Sequence, residues 1–268
     1  MRLFFLACGC FLFLSCFSGA SADAAADAAS RPMPDTFNLV LIQGESNASG
    51  MASNDKLNGR SLKPFNTVFI LNNQRLVFEP LQIGKNNNLL QNVPDGKHGL
   101  ELGLALEAEA GAISTPLYIV KAGWSGGKMS DFTPGSGVQW VQLQQRMDTA
   151  ISSLKKMGRP YRITVWQSIG INDFNGGTSS ADFTNQLTAF RQAFRERYGQ
   201  RILFLQTHFF DSHPFNSNIK AVAAADSLQR ARAISIEGAT YVDPNIHWDS
   251  DGLQKIAHRM VEAMQQAK

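Results

Sequence analysis

Cysteine is scarce in this chain of 268 residues, and all three copies (Cys8, Cys10 and Cys16) lie close to the amino terminus. Residues 17–268 therefore contain no thiol, which excludes from them a disulfide framework, a cysteine nucleophile and a zinc site built from thiolates. The fold must then depend on its hydrophobic core. With 44% hydrophobic residues, a chain of this length can bury one core of substantial size.

The sequence also lacks a strong excess of charge. It has 25 Lys and Arg against 22 Asp and Glu, a formal net charge of +3, and no extended run of basic residues. Proteins that bind nucleic acids or membrane surfaces usually carry basic clusters or stripes. We therefore predict no nucleic-acid partner and no binding to a membrane surface.

An apolar run at the amino terminus, Leu3 to Leu14, follows Arg2 and precedes an Ala-x-Ala site that ends at Ala22. This order is typical of a secretory signal peptide, and the run is too short for a transmembrane anchor. Lipidation of Cys16 is an alternative, although Phe13 occupies the position where such signals usually have leucine. We predict a signal peptide over residues 1–22, a disordered lead-in over 23–36 and one domain over 37–268. We further expect a secreted or periplasmic monomer, without a transmembrane segment once the signal is cleaved.

Short apolar segments alternate with helical patterns along the rest of the chain. Apolar residues recur every three to four positions from Trp140 to Leu154, and Ser179 and Asp182 have the spacing of a helix capping box. A hairpin is predicted across Asn72–Asn73. The segments predicted as strands are Phe37–Ile42, Leu117–Val120, Ile163–Ser168, Ile202–Thr207 and Thr240–Asp243. Strands alternating with helices predict a three-layer α/β/α domain with a central parallel sheet.

Small and polar residues follow four of the predicted strands. The first is followed by Gly44-Glu45-Ser46-Asn47, the second by KAGWSGGKM (121–129), the third by SIGINDF (168–174) and the last by DPNIHWDSDG (243–252). The carboxyl ends of parallel strands meet at one edge of a sheet, so we expect these segments to lie together. A hydroxyl, an imidazole and several N–H donors are the groups that acyl transfer requires.

Each of these residues also has an ordinary structural alternative. Ser46 could cap a helix, and Gly126 with the glycine after it could form a turn. Asn172 could form an Asx turn, and His247 could be a surface or structural histidine. The convergence of all four at one sheet edge favours a catalytic function.

The motifs and their order resemble those of the SGNH hydrolases, over about residues 37–267. Within that superfamily, QGESN (43–47), the glycine-rich second segment and VWQSIGINDF (165–174) are most similar to carbohydrate acetylesterases of the sialate O-acetylesterase and acetylxylan esterase type. The G-x-S-x-G elbow of α/β-hydrolases is not matched, because Ala48 stands at its last position. The resemblance implies a flavodoxin-like fold and a serine esterase that removes O-acetyl groups from carbohydrates through an acyl-enzyme.

The resemblance also implies roles for individual residues. Ser46 would be the nucleophile and His247 the general base and then acid, with Asp243 orienting the imidazole. The oxyanion would accept hydrogen bonds from the N–H groups of Ser46 and Gly126 and from the side chain of Asn172. Each such donor typically contributes about 10²–10³ in rate.

The chain departs from the family pattern in two places. The family aspartate usually stands three residues before the histidine, but that position is Pro244 here, so either Asp243 or a backbone carbonyl would hold the ring. Sugar-specific relatives often have QGES in the third segment, whereas Gln167 is followed here by SIGIND. Gly123 and Gly127 also remain alternatives to Gly126 as oxyanion donor.

Three further residues are candidates for contacts with a sugar: Glu45 beside the predicted nucleophile, and Trp124 and Trp248, whose rings could stack on it. No spacing of His, Asp and Glu is typical of a metal site, so we predict neither metal nor cofactor. The expected partner is an acetylated sugar or polysaccharide. The alternatives are an O-acetyltransferase, a lipase or thioesterase on the same scaffold, and a non-catalytic glycan-binding module.

Overall fold

The computed structural model describes residues 36–87, 96–210, 212–244 and 246–267. The predicted signal peptide and all but the last residue of the predicted lead-in lie outside these ranges. Within them, no helix combines the length and the apolar character needed to cross a bilayer.

The described residues form a central sheet with helices on both faces. The strands are β1 Phe37–Gly44, β2 Ala52–Ser53, β3 Val68–Asn72, β4 Val77–Pro80, β5 Lys97–His98, β6 Leu117–Gly123, β7 Tyr161–Ser168, β8 Leu203–Thr207 and β9 Ala231–Ile234. The helices are α1 Ser46–Ser49, α2 Leu100–Glu109, α3 Val138–Lys156, α4 Ile171–Asn175, α5 Ser180–Tyr198, α6 Phe215–Ala224 and α7 Ser250–Gln266, with 3₁₀ turns at Asn54–Lys56 and Met129–Phe132.

The main sheet has seven strands in the spatial order β4-β3-β6-β1-β7-β8-β9. Strand β4 pairs antiparallel with β3, and the other pairings are parallel. A separate ladder joins β2 and β5. Strand β1 therefore lies at the centre, between β6 and β7, and its carboxyl end is flanked by theirs.

The two faces of β1 explain the layers. Successive side chains of a strand point to opposite faces, so Leu39 and Leu41 belong to one core cluster, which also contains the apolar sides of α3 and α5. Val40 and Ile42 belong to the other, with those of α2 and α7. All four of these β1 side chains are fully buried. The three-layer α/β/α arrangement predicted from the alternating pattern is confirmed.

The two long helices have the faces that their periodicity predicts. In α3 the side chains from Trp140 to Leu154 that recur at helical spacing are buried. Helix α5 begins where the capping pattern indicates, because the hydroxyl of Ser179 accepts a hydrogen bond from the backbone N–H of Asp182 at 3.0 Å.

The predicted hairpin is present, with a longer turn than expected. Asn72 pairs with Val77, so the turn contains four residues rather than two. The side-chain oxygen of Asn72 accepts hydrogen bonds from the N–H groups of Gln74 and Arg75, each at 3.0 Å, and this stabilises the wider turn.

The segment Thr240–Asp243 was predicted as a strand, and this prediction is wrong. It forms a single bridge, between Tyr241 and Trp248, and Val242 is 52% exposed. The strand beside β8 is instead β9, in which Ala231 and Ile234 are buried. Branched residues favour a strand where neighbouring side chains cover them. Whether such neighbours are present depends on tertiary packing, which the local sequence does not reveal.

Candidate active site

Three strands end side by side at one edge of the sheet. Gly44 at the end of β1 is level with Gly123 of β6 and with Ser168 of β7. The segments that follow these strands therefore meet, as the sequence predicts. Ser46 lies two residues beyond the end of β1 and begins α1.

Gly44 allows a sharp backbone turn before Ser46 because it has no side chain. Its φ is +145°, and a Cβ atom there would lie 2.0 Å from the carbonyl oxygen of Ser168. The next residue, Glu45, donates its N–H to the same oxygen at 2.9 Å. Gly123 is comparably crowded, because a Cβ atom there would lie 2.4 Å from the backbone nitrogen of Ser49. Two glycines thus allow α1 to pack directly on the ends of β1 and β6.

Ser46, His247 and Asp243 form a continuous hydrogen-bonded chain. Nε2 of His247 lies 2.9 Å from Oγ of Ser46, and Nδ1 lies 2.5 Å from Oδ2 of Asp243. With the proton on Nδ1, the imidazole donates to Asp243, and Nε2 is free to accept the proton of the Ser46 hydroxyl.

The four-residue spacing between Asp243 and His247 allows two contacts rather than one. Besides the ring contact, Oδ1 of Asp243 accepts the backbone N–H of His247 at 2.7 Å. Partial burial acts to raise the pKa of Asp243, but the hydrogen bonds from the backbone and ring of His247 outweigh it and lower that pKa. The carboxylate is therefore ionised near neutrality, as is required to stabilise an imidazolium.

The N–H groups near Ser46 differ in availability. That of Ser46 lies in the first turn of α1, where backbone donors have no acceptor within the helix. The N–H of Gly127 donates to the carbonyl of Trp124 at 2.8 Å and is used within its own turn. Gly123 packs against α1. Gly126 is exposed, with φ of +81°, so a ligand can reach its backbone.

Glu45 contacts the third segment rather than solvent. Its carboxylate is 1% exposed in the folded chain and accepts the backbone N–H groups of Ile171 at 2.9 Å and Asn172 at 3.0 Å. Burial raises the pKa of Glu45 to about 7, against the opposing effect of these hydrogen bonds. These loop contacts occupy the carboxylate in place of the substrate contact that the sequence suggested.

The side-chain amide of Asn172 also has partners within the loops. Nδ2 lies 2.5 Å from Oε2 of Glu45 and 3.3 Å from the carbonyl oxygen of Gly127. To donate to an oxyanion, Asn172 would exchange the longer of these two contacts. The structure thus brings Asn172 to the edge where Ser46 lies, with its amide held by Glu45.

Sequence reasoning missed a buried ion pair behind α1. Lys121 of β6 is 1% exposed, and its Nζ lies 3.0 Å from Oε2 of Glu101, which is fully buried. Nζ also donates to the carbonyls of Ser49 at 2.8 Å and Asn87 at 3.0 Å. The signal in the sequence is a lysine inside the apolar strand LYIVKAG, since a buried lysine requires a partner.

The two tryptophans lie in different environments. Trp124 is half-buried in the segment after β6. Trp248 is 1% exposed and packs against Trp166 in the core, with 6.3 Å between ring centroids. Core packing thus replaces the exposed stacking face that the sequence suggested for Trp248. Among the residues that the structure describes, no three His, Cys, Asp or Glu side chains come together as a metal site would require.

Known structures share this fold. A protein from Arabidopsis thaliana has a TM-score of 0.67 and 13% identity, over 87% of this chain and 99% of that one. NanS has a TM-score of 0.59 and 15% identity, over 88% and 98%. A carbohydrate acetylesterase from Xanthomonas citri has a TM-score of 0.52 and 14% identity, over 87% of this chain and 56% of its own. At these identities the similarity establishes the fold.

The family assignment comes from sequence. No curated protein matches the chain significantly. A family model described as carbohydrate esterase, sialic acid-specific acetylesterase, matches residues 36–266. This match covers most of the chain and confirms the resemblance to carbohydrate acetylesterases that the sequence motifs show. The chain therefore belongs to the sialic acid-specific acetylesterase family of carbohydrate esterases.

Proposed function

We propose that this chain hydrolyses O-acetyl esters of carbohydrates through an acyl-enzyme on Ser46. The observation that carries the proposal is the chain of contacts from Ser46 Oγ through His247 to Asp243, with 2.9 Å between the hydroxyl and the imidazole. A hydroxyl, a base within hydrogen-bond reach and a group that orients the base are what an activated serine nucleophile requires.

In the first half of the reaction, Ser46 Oγ attacks the acetyl carbonyl carbon while Nε2 of His247 takes the hydroxyl proton. The tetrahedral oxyanion accepts hydrogen bonds from the N–H groups of Ser46 and Gly126 and from Asn172. When this intermediate collapses, the bond to the sugar oxygen breaks and His247 protonates the departing hydroxyl. The acetyl group is then esterified to Ser46.

In the second half, His247 takes a proton from a water molecule, which attacks the acetyl-serine carbonyl. Collapse of the second tetrahedral intermediate returns the proton to Ser46 Oγ and releases acetate. Asp243 remains ionised throughout and stabilises the imidazolium that forms in each half. We propose that Trp124, which is half-buried in the segment after β6, contacts the sugar.

The signal-like pattern over residues 1–22 supports export, so we propose that the working form begins at Asp23 and is secreted or periplasmic. Mass spectrometry of the protein recovered from its native host would give the amino-terminal residue. A chain that still begins with Met1 would contradict cleavage after Ala22.

The test of the catalytic proposal is acetate release by residues 23–268 from acetylated xylan, acetylated sialic acid and a small activated acetate. We expect Ser46→Ala to lower kcat/KM by about 10⁴-fold or more, since loss of a triad nucleophile has this order of effect. Ser152→Ala, at an exposed position of α3, is the control for serine replacement and should retain full activity. Equal activity of Ser46→Ala and the unaltered chain would refute the proposal.

A further inference from the structure

The residue after Ser46 connects the nucleophile turn to the segment that carries His247. Asn47 is 2% exposed and lies in α1, yet its side chain contacts backbone 199 residues further along the chain. Nδ2 donates to the carbonyl of Ile246 at 2.8 Å, and Oδ1 accepts the N–H of Trp248 at 3.2 Å. One amide thus holds the backbone on both sides of His247.

Much of the histidine segment is exposed. Ile246 is 40% exposed, and the side chain of Asp243 is 39% exposed. Asp243 orients the ring of His247, but it belongs to the same exposed segment, so the two residues can shift together without breaking their own contacts. The buried ring of Trp248 fixes one end of this segment, and contacts that cross from α1 then set the position of the pair relative to Ser46.

We infer that Asn47 is a positioning residue that sets the distance between Ser46 Oγ and His247 Nε2, an inference that rests on the function proposed above. Asparagine suits this place because the carbonyl of Ile246 needs a hydrogen-bond donor and the N–H of Trp248 needs an acceptor. A single planar amide satisfies both. Aspartate has the same shape, but its carboxylate oxygen would face the carbonyl oxygen of Ile246 and repel it. Leucine has a similar volume but would form neither hydrogen bond.

The expected effect falls on the chemical step. A shift of about 1 Å in a reacting group costs about 10²-fold in rate. Asn47 is buried and lies against backbone, so it makes no contact that would set the affinity for the sugar. Loss of the amide should therefore lower kcat while KM stays nearly constant.

The experiment compares Asn47→Leu and Asn47→Asp with the unaltered chain on a small activated acetate. Asn72→Leu is the matched control, because Asn72 is 5% exposed and its amide also bonds to backbone, in the β3–β4 hairpin. Ser46→Ala is measured alongside. Besides kcat, KM and melting temperature, the far-downfield proton resonance of His247 Nδ1–H is recorded by NMR, since it reports the setting of the ring directly.

We expect both Asn47 variants to lower kcat by about 10- to 100-fold, with KM little changed and the Nδ1–H resonance shifted or broadened. Asn72→Leu should lower the melting temperature and leave kcat and the resonance unchanged. If Ser46→Ala is inactive, two results would overturn the positioning role: an unchanged kcat in the Asn47 variants, or a loss of kcat in Asn72→Leu equal to theirs. An active Ser46→Ala would instead overturn the proposed function, and the inference with it.

Discussion

The buried carboxyl of Glu45 predicts a specific pH dependence of stability. Its pKa is about 7 in the folded chain against an ordinary value of 4.5, because burial disfavours the ionised form. Between these two values the folded chain holds a proton that the unfolded chain releases. Stability therefore falls as pH rises through this window. Glu45→Gln removes the titrating group and should remove this part of the pH dependence.

The magnitude follows from the size of the shift. One pKa unit corresponds to about 1.4 kcal/mol of differential interaction. Between pH 5 and pH 8 the Glu45 carboxyl should therefore lower the free energy of unfolding by about 2.5 kcal/mol. Solvent screening has little effect on this free-energy difference, because Glu45 is only 1% exposed.

The assay is urea unfolding of the unaltered chain and Glu45→Gln at pH 5 and pH 8. Subtracting the two proteins cancels the contributions of other titrating groups, and the difference should change by about 2.5 kcal/mol between the two pH values. Glu196→Gln, an exposed position on α5, controls for loss of a carboxyl. If Glu45→Gln and the unaltered chain change equally with pH, the carboxyl titrates normally in the folded chain and the reasoning is refuted.

Three other perturbations have expected outcomes. Burial lowers the pKa of His98 from 6.5 to about 4, so between these values the unfolded chain binds a proton that the folded chain does not, and stability falls as the pH falls. In urea unfolding, His98→Gln should therefore lose less stability between pH 7 and pH 4 than the unaltered chain does. Gly44→Ala should abolish acetate release and lower stability by about 3 kcal/mol or more, whereas Gly158→Ala, where a Cβ atom meets nothing, should cost about 1–2 kcal/mol. Glu101→Gln leaves Lys121 buried without its counter-charge and should cost about 3–5 kcal/mol in thermal unfolding.

The sequence predicts the sheet and the location of the site because both depend on local patterns. Apolar runs such as LVLI in β1 are buried on both faces of the sheet, and the residues just beyond such strands must lie at its carboxyl edge. The order of the motifs then places Ser46, Asn172 and His247 together. These features need no knowledge of which distant segments touch.

The features that the sequence does not predict depend on distant contacts. Glu45 contacts backbone 127 residues away, and Trp248 packs against Trp166 of β7. Nothing in their local sequence distinguishes a buried carboxylate or indole from one that meets a ligand. The same holds for Val242, whose branched side chain suits a strand but is 52% exposed in the folded chain.

The separation of Ser46 and His247 along the chain is 201 residues, and this has a consequence for folding. Bringing together residues so far apart costs chain entropy before their contact stabilises the fold, and topologies dominated by such contacts fold slowly. Strand β1 must also acquire a neighbour on each side, from β6 and β7, before its end is fixed. A chain that has regained most of its helical signal can therefore still lack a complete site. Recovery of acetate release during refolding would report the last stage of assembly rather than the first.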